Sequence, residues 1–213
     1  MKSPLTKSLR KQIPINKKAI PYMTANKSNF TYMKKILLFT GLLFSTCLFS
    51  QKMMTRSGEI KFEASMPAFE EVAAKNNTVS CIFDKYTGDI AVLALVKAFR
   101  FKVPLMEEHF NENYIESDKF PKATFKGKVT NFDAAKVASG KATFDVEGDL
   151  TLHGVTKKVK TKITFVQSGE KLVATCSFKV KPADYNIKIP SVVKSKIAES
   201  VEIDLKFDLE KKV

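Results

Sequence analysis

The feature that most constrains this chain is period-two alternation sustained over long stretches, because successive side chains of a strand point to opposite faces of a sheet. Along 141–153, Phe144, Val146, Gly148, Leu150 and Leu152 share one parity, while Asp145, Glu147, Asp149, Thr151 and His153 share the other. The stretch 158–168 repeats the pattern, with Val159, Thr161, Ile163 and Phe165 set against Lys158, Lys160, Lys162 and Thr164. In 199–210, Val201, Ile203, Leu205, Phe207 and Leu209 oppose Glu202, Asp204, Lys206, Asp208 and Glu210. Each is a strand with one dry and one wet side.

Five further stretches, 58–65, 78–84, 89–101, 123–133 and 171–181, alternate in the same way. In the last of these, Leu172, Ala174, Cys176, Phe178 and Val180 take the inner face. The run from Ile90 to Val96 is apolar on both parities, which calls for something to cover its outside. A turn around His153-Gly154-Val155-Thr156 would set the acidic row of one strand beside the basic row of the next, and such cross-strand pairs help to fix register. Short helices are expected over 67–74, with Pro67 early where its missing N–H does no harm, and over 104–114. The fold class is therefore all-β, an eight-stranded antiparallel β-barrel with short helices, since closure removes exposed edges. Periodicity leaves a two-sheet sandwich open as the alternative.

The N-terminal quarter has a different character. Met33-Lys34-Lys35 is followed by an apolar run, Ile36 to Phe49, of 14 residues and then by Ser50-Gln51. This is the pattern of a secretory signal peptide over 33–50, and it is short of the roughly 20 apolar residues that span a bilayer. Residues 1–32 carry seven basic side chains and no acid. We read them as an N-terminal extension from a mis-assigned start, with Met33 the initiator; a basic tail before a membrane anchor is the rival. The expected mature domain is 51–213, periplasmic or secreted. Nine of the +14 formal charges lie before it, leaving +5, which is ordinary solubilising charge and names no partner.

Cysteine use follows from this. Cys47 lies in the apolar run, where a lipoprotein anchor is a second reading, so the mature domain keeps Cys81 and Cys176. Export permits a disulfide between them, and two buried free thiols fit the apolar parity equally well.

An eight-stranded barrel is at the size where side chains can fill the interior or leave room for one ligand. Thirteen of the 17 Phe lie in 51–213, and Phe62, Phe83, Phe125, Phe144, Phe165, Phe178 and Phe207 fall on the apolar parity of their strands. A filled aromatic core and an apolar tunnel both satisfy that pattern. No catalytic or metal constellation competes: there is no HExxH, no CxxC, no paired-His spacing, no G-x-S-x-G and no Gly-rich phosphate loop. Neither cofactor nor metal is expected. Lys158, Lys160 and Lys162 form a row, but acids lie beside it and no aromatic interleaves with it, so no nucleic-acid surface is expected.

Two segments are more specific. Leu105-Met106-Glu107-Glu108-His109-Phe110-Asn111-Glu112-Asn113-Tyr114, with Glu116-Ser117-Asp118-Lys119-Phe120-Pro121-Lys122-Ala123-Thr124-Phe125, resembles the signature of the YceI-like family. Gly148-Asp149-Leu150-Thr151-Leu152-His153-Gly154-Val155-Thr156-Lys157 is similar to that family's hairpin, and the closing Asp184-Tyr185-Asn186-Ile187 and Ile203-Asp204-Leu205 extend the resemblance over most of the mature chain.

The resemblance implies a lipocalin-like barrel, commonly in exported proteins, that holds a polyisoprenoid or another long-chain amphiphilic lipid in its lumen without enzymatic turnover. The residues expected to meet the lipid are Phe62, Phe83, Leu93, Phe101, Met106, His109, Phe110, Tyr114, Phe125, Phe144, Phe165, Phe178, Tyr185 and Phe207. The helix over 104–114 is expected to lie across the barrel end as a lid. Transient membrane contact and a homodimer are the further partners weighed. Two rivals stand beside this reading: a filled-barrel envelope protein acting through its charged outer strands, and a lipid-modifying enzyme using His109 with Glu112 or Asp118.

Overall fold

Strands adjacent in sequence tend to pair with one another, and apart from the short β-strand that follows the third this chain keeps that order. The computed structural model describes residues 52–66 and 71–211. They form β1 (Lys52–Ser65), β2 (Ala73–Asp84), β3 (Asp89–Leu95), β4 (Arg100–Phe101), β5 (Lys122–Val129), β6 (Ala142–Leu152), β7 (Val155–Ser168), β8 (Lys171–Val180) and β9 (Ile197–Lys211). The order β2-β3-β5-β6-β7-β8-β9-β1 is antiparallel at every step, and β1 pairs back onto β2. This is a closed eight-stranded barrel, with β4 a two-residue spur on β2. The sandwich alternative is excluded by the β1–β2 ladder.

The β6–β7 hairpin has the anticipated charge match. Asp145, Glu147 and Asp149 stand opposite Lys162, Lys160 and Lys158, with N–O separations of 2.7, 2.7 and 3.6 Å. The turn is only His153 and Gly154, at φ +50° and +74°. Two successive positive φ values make it a type I′ turn, whose twist matches the flanking strands.

Several boundaries differ from expectation, each for a local reason. β2 begins at Ala73 rather than 78, because a bulge flips its parity: Gly58 faces Val79, but Ile60 faces Asn76. Asn76 is buried within the bulge, its side chain accepting from the Thr78 N–H (2.8 Å) and hydroxyl (2.9 Å) and donating to the Leu95 carbonyl (3.0 Å). Alternation therefore breaks at a point where the strand continues. The helix expected over 67–74 ends in strand, since Ala73 and Ala74 belong to β2; its residues 67–70 lie outside the described set, as do the signal peptide expected over 33–50 and the extension expected over 1–32.

The stretch 89–101 is not one strand. It stops at Leu95, turns through a 3₁₀ segment at Val96–Ala98, and resumes as β4. Its outward residues Leu93 and Leu95 remain 37% and 48% exposed, so nothing described covers that face. β5 ends at Val129 rather than 133, and a short helix not anticipated, α2 (Ala134–Ala138), follows. Asp133 caps it, its carboxylate accepting from the Ala135 and Lys136 N–H groups.

The barrel interior is divided lengthwise. In one half, Phe83, Phe165, Leu172 and Leu209 are wholly buried, with Val129 and Phe144 beside them. Phe83 stacks on Phe165 at 4.9 Å, and Phe132, from the loop before α2, meets Phe83, Phe144 and Phe165 at 4.9, 5.3 and 5.3 Å. Val137 of α2 is buried in the same core. That end of the barrel is filled and capped.

Candidate functional site

The other half is hollow. A cavity of about 510 Å³ runs inward from the ends of β1, β3, β6 and β8, within the range of small-molecule sites. Its walls are inward-facing strand residues such as Ile60, Val92, Leu150, Val159, Cys176 and Leu205. The few polar side chains among them include Thr161, whose hydroxyl donates to the Ser177 carbonyl (3.2 Å) and is met by the Cys176 thiol at 3.9 Å. These two groups thus satisfy each other within a mostly apolar wall.

Glycine shapes the bottom of the hollow. Gly127 and Gly148 are directly paired across β5 and β6, and the Phe125 ring occupies the space their side chains would take. A β carbon on Gly127 would lie 2.6 Å from Phe125 Cζ, and one on Gly148 2.7 Å from it. Phe207 leans in the same way over Gly58, where a β carbon would lie 2.5 Å from its Cδ1. Both rings line the cavity, whereas Phe83, Phe144 and Phe165 beyond them do not. The hollow is thus blind.

Its mouth is crossed by α1 (Pro104–His109), which continues as a π turn, Phe110–Tyr114. Met106, His109, Phe110 and Tyr114 face the cavity, while the neighbouring Leu105 is exposed. Phe110 anchors the lid, with its ring 5.4, 6.1 and 5.2 Å from those of Phe62, Phe99 and Phe101. The Glu107 carboxylate ties it down from outside, accepting from Arg100 (2.8 Å) and from the Phe101 N–H (3.1 Å). The opposite lip is the segment from Pro182 to Ile197, which contributes Ile187, Ile189, Val193 and Lys196.

His153 fastens the surrounding loops. Its Nδ1 lies 3.0 Å from the Tyr185 carbonyl and its Nε2 3.1 Å from Glu116 Oε2, and its ring packs 4.4 Å from that of Phe120. The β6–β7 turn, the segment after α1 and the turn at Pro182–Tyr185 are thereby joined. The Lys119 and His153 hydrogen bonds, in that order, hold the Glu116 carboxyl below the usual carboxylate range.

Of the residues expected from sequence, Phe62, Phe101, Met106, His109, Phe110, Tyr114, Phe125, Phe178 and Phe207 line the cavity. Five do not. Phe83, Phe144 and Phe165 share the inward parity but lie in the filled half. Leu93 points outward, because the 3₁₀ turn after Leu95 shifts the phase between it and Phe101. Tyr185 is buried behind the His153 contact, where desolvation raises its hydroxyl pKa. Phe99 and the Ile187–Lys196 lip were missed. The first sits just past the phase shift; Pro190 breaks the alternation that Ile187 and Ile189 begin.

Neither cysteine is bridged. Cys81 is buried in the core on β2, where desolvation pushes its thiol up to about 12, and Cys176 lines the cavity on β8, raised by burial. Asp118 is engaged by Lys97, and no described hydrogen bond joins His109 to it or to Glu112. Among the described residues no cluster of His, Cys and carboxylates could hold a metal.

Comparison with known proteins agrees with this architecture. The model of the YceI-like domain matches residues 51–209. A UPF0312 protein of Vibrio parahaemolyticus is 30% identical over 151 residues, covering 64% of this chain and 77% of its own length. A second, from Pseudomonas fluorescens, is 43% identical over 60 residues, which is 28% of this chain and 30% of that protein. Among solved structures, a domain from Saccharophagus degradans described as polyisoprenoid-binding aligns with a TM-score of 0.65 at 17% identity, over 76% of this chain and 99% of its own. BcnA of Burkholderia cenocepacia aligns with a TM-score of 0.59 at 18% identity, over 71% and 94%. With the matched segment spanning nearly the whole barrel, the chain belongs to the YceI-like domain family.

Proposed function

We propose that this protein binds a long-chain amphiphilic lipid, a polyisoprenoid or a similar single-chain molecule, in the hollow half of its barrel and carries it without chemical change. The observation that carries this reading is a blind, preformed cavity with an almost wholly apolar wall. Each methylene moved into it from water gains about 0.8 kcal/mol. A folded aromatic floor and lid mean that little ordering cost is spent on forming the site. The description of the Saccharophagus domain as polyisoprenoid-binding supports the ligand class. A non-enzymatic role is supported by the scarcity of polar side chains along the wall and by the lack of a described carboxylate partner for His109. Export to the periplasm, inferred from the leader pattern at 33–50, would place such a carrier between membranes.

The test is organic extraction of the protein purified from its own host, followed by mass spectrometry of the extract. A stoichiometric long-chain amphiphile supports the reading. Its absence, together with unaltered binding of added lipid after Leu205→Trp in the cavity wall, would overturn it. Ala174, although inward-facing, is buried in the filled half and would not serve as a probe of the hollow.

A further inference from the structure

Resting on the lipid-binding reading, we propose that the bound molecule is a single-chain amphiphile with an anionic head, carboxylate or phosphate, inserted tail-first and met at the mouth by the ammonium of Lys196. The blind floor fixes the direction. Phe125, Ile163 and Phe207 close the inner end, and an anion placed against them would lose its hydration with nothing in return. The head must stay at the mouth.

The charge at that mouth has one sign on the cavity side. Among the described residues lining the cavity, Lys196 is the only lysine, and no arginine, aspartate or glutamate lines it. No described carboxylate pairs with Lys196, although eleven ion pairs occupy basic side chains elsewhere on the barrel. Lys188 and Lys194 share its lip, and the acids nearest to it in sequence, Asp184 and Glu199, do not line the cavity. The acids of α1 do not cancel this field at the wall: Glu107 is held by Arg100 on the outside, and Glu108 and Glu112 fall on the helix face turned from Met106, Phe110 and Tyr114. A cation beside a low-dielectric opening attracts an anion more strongly than the same charge on an open surface. His109 and Tyr114, also lining the cavity, offer hydrogen-bonding groups to the same head.

The experiment is displacement of a neutral polarity-sensitive dye from delipidated protein by hexadecanoate, hexadecyl phosphate and hexadecan-1-ol. It is run on the wild type, Lys196→Met and Lys196→Arg. The expected result is that one or both anions bind the wild type about fivefold tighter than the alcohol, the scale of one partly screened ion pair. Lys196→Met should abolish that preference, read as the ratio of anion to alcohol affinity within the variant, Lys196→Arg should keep it, and raised salt should weaken it. Preference for one anion alone assigns the head as that group. Equal binding of all three to the wild type, or an anion preference that survives Lys196→Met, overturns the inference and leaves the lipid reading standing. Failure of every probe, the alcohol included, overturns both.

Discussion

The ring of Phe125 lies where a side chain at Gly148 would be: a β carbon there would come within 2.7 Å of Phe125 Cζ. Together with Gly127 across the ladder, the two glycines let an aromatic ring lie flat against the barrel wall at the inner end of the cavity. Adding one methyl must displace the ring or the adjacent backbone. Gly148→Ala is expected to cost about 1–3 kcal/mol, as overpacking of a filled interior does, read from the urea midpoint. Because the Lys126 carbonyl oxygen and, at 2.5 Å, Gly127 Cα would lie closer still, most of the cost should persist in a Phe125→Ala background; complete relief there would show that the ring alone is what the methyl meets.

The filled half carries stability that the hollow half does not. Phe165 is wholly buried and touches three other aromatic rings, so Phe165→Ala is expected to lose about 3–5 kcal/mol. Phe178 faces the cavity and is only half-buried, and Phe178→Ala should cost clearly less. Chemical denaturation of the two variants side by side checks the order, and a reversed order would contradict the division of the interior.

Acid should loosen the mouth through Glu116. Its carboxyl is held below the ordinary value of 4.5 by the hydrogen bond from Lys119 and then that from His153. A carboxylate depressed in the folded state stabilises it above the unfolded-state pKa, and that contribution is lost as pH falls through the folded value. The stability difference between wild type and Glu116→Gln should therefore be present at mildly acidic pH and shrink below about pH 4.5. A difference that grew on acidification would reverse the sign and refute the linkage.

Both thiols should be sluggish, for related reasons. The thiolate is the reactive form, and burial raises Cys81 to about 12 and shifts Cys176 in the same direction. At neutral pH a small maleimide is expected to leave Cys81 untouched until the barrel unfolds. It should label Cys176 slowly from the cavity and more slowly still with a long-chain amphiphile bound. Mass spectrometry of the labelled peptides distinguishes the two; fast labelling of Cys81 in the folded protein would contradict its burial.

Much of the barrel was legible because a strand with one wet face must alternate. The acidic and basic rows of β6 and β7, the His153-Gly154 turn and the inward set of β8 follow from residue parity alone. Legibility ended wherever the backbone changed phase without a change in composition. The bulge at Asn76 hid the first half of β2, and the 3₁₀ turn at Val96–Ala98 put Leu93 outside while keeping Phe101 inside. Of the candidate site, the lid residues Met106, His109, Phe110 and Tyr114 were visible through helical spacing and the family resemblance. The opposite lip was not, since Pro190 interrupts its pattern.

The sequence by itself determined that a barrel of this size would have a Phe-rich interior, and it left open whether that interior was core or container. Tertiary structure decided that it is both, one half filled and one half hollow. Parity states only that a side chain points inward. Whether it meets another side chain or empty space depends on its height along the barrel, on the cap formed by Phe132 and α2 at one end, and on the room that Gly58, Gly127 and Gly148 leave for Phe125 and Phe207 at the boundary. Those relations join residues far apart in the chain, and only closure of β1 onto β2 brings them into register.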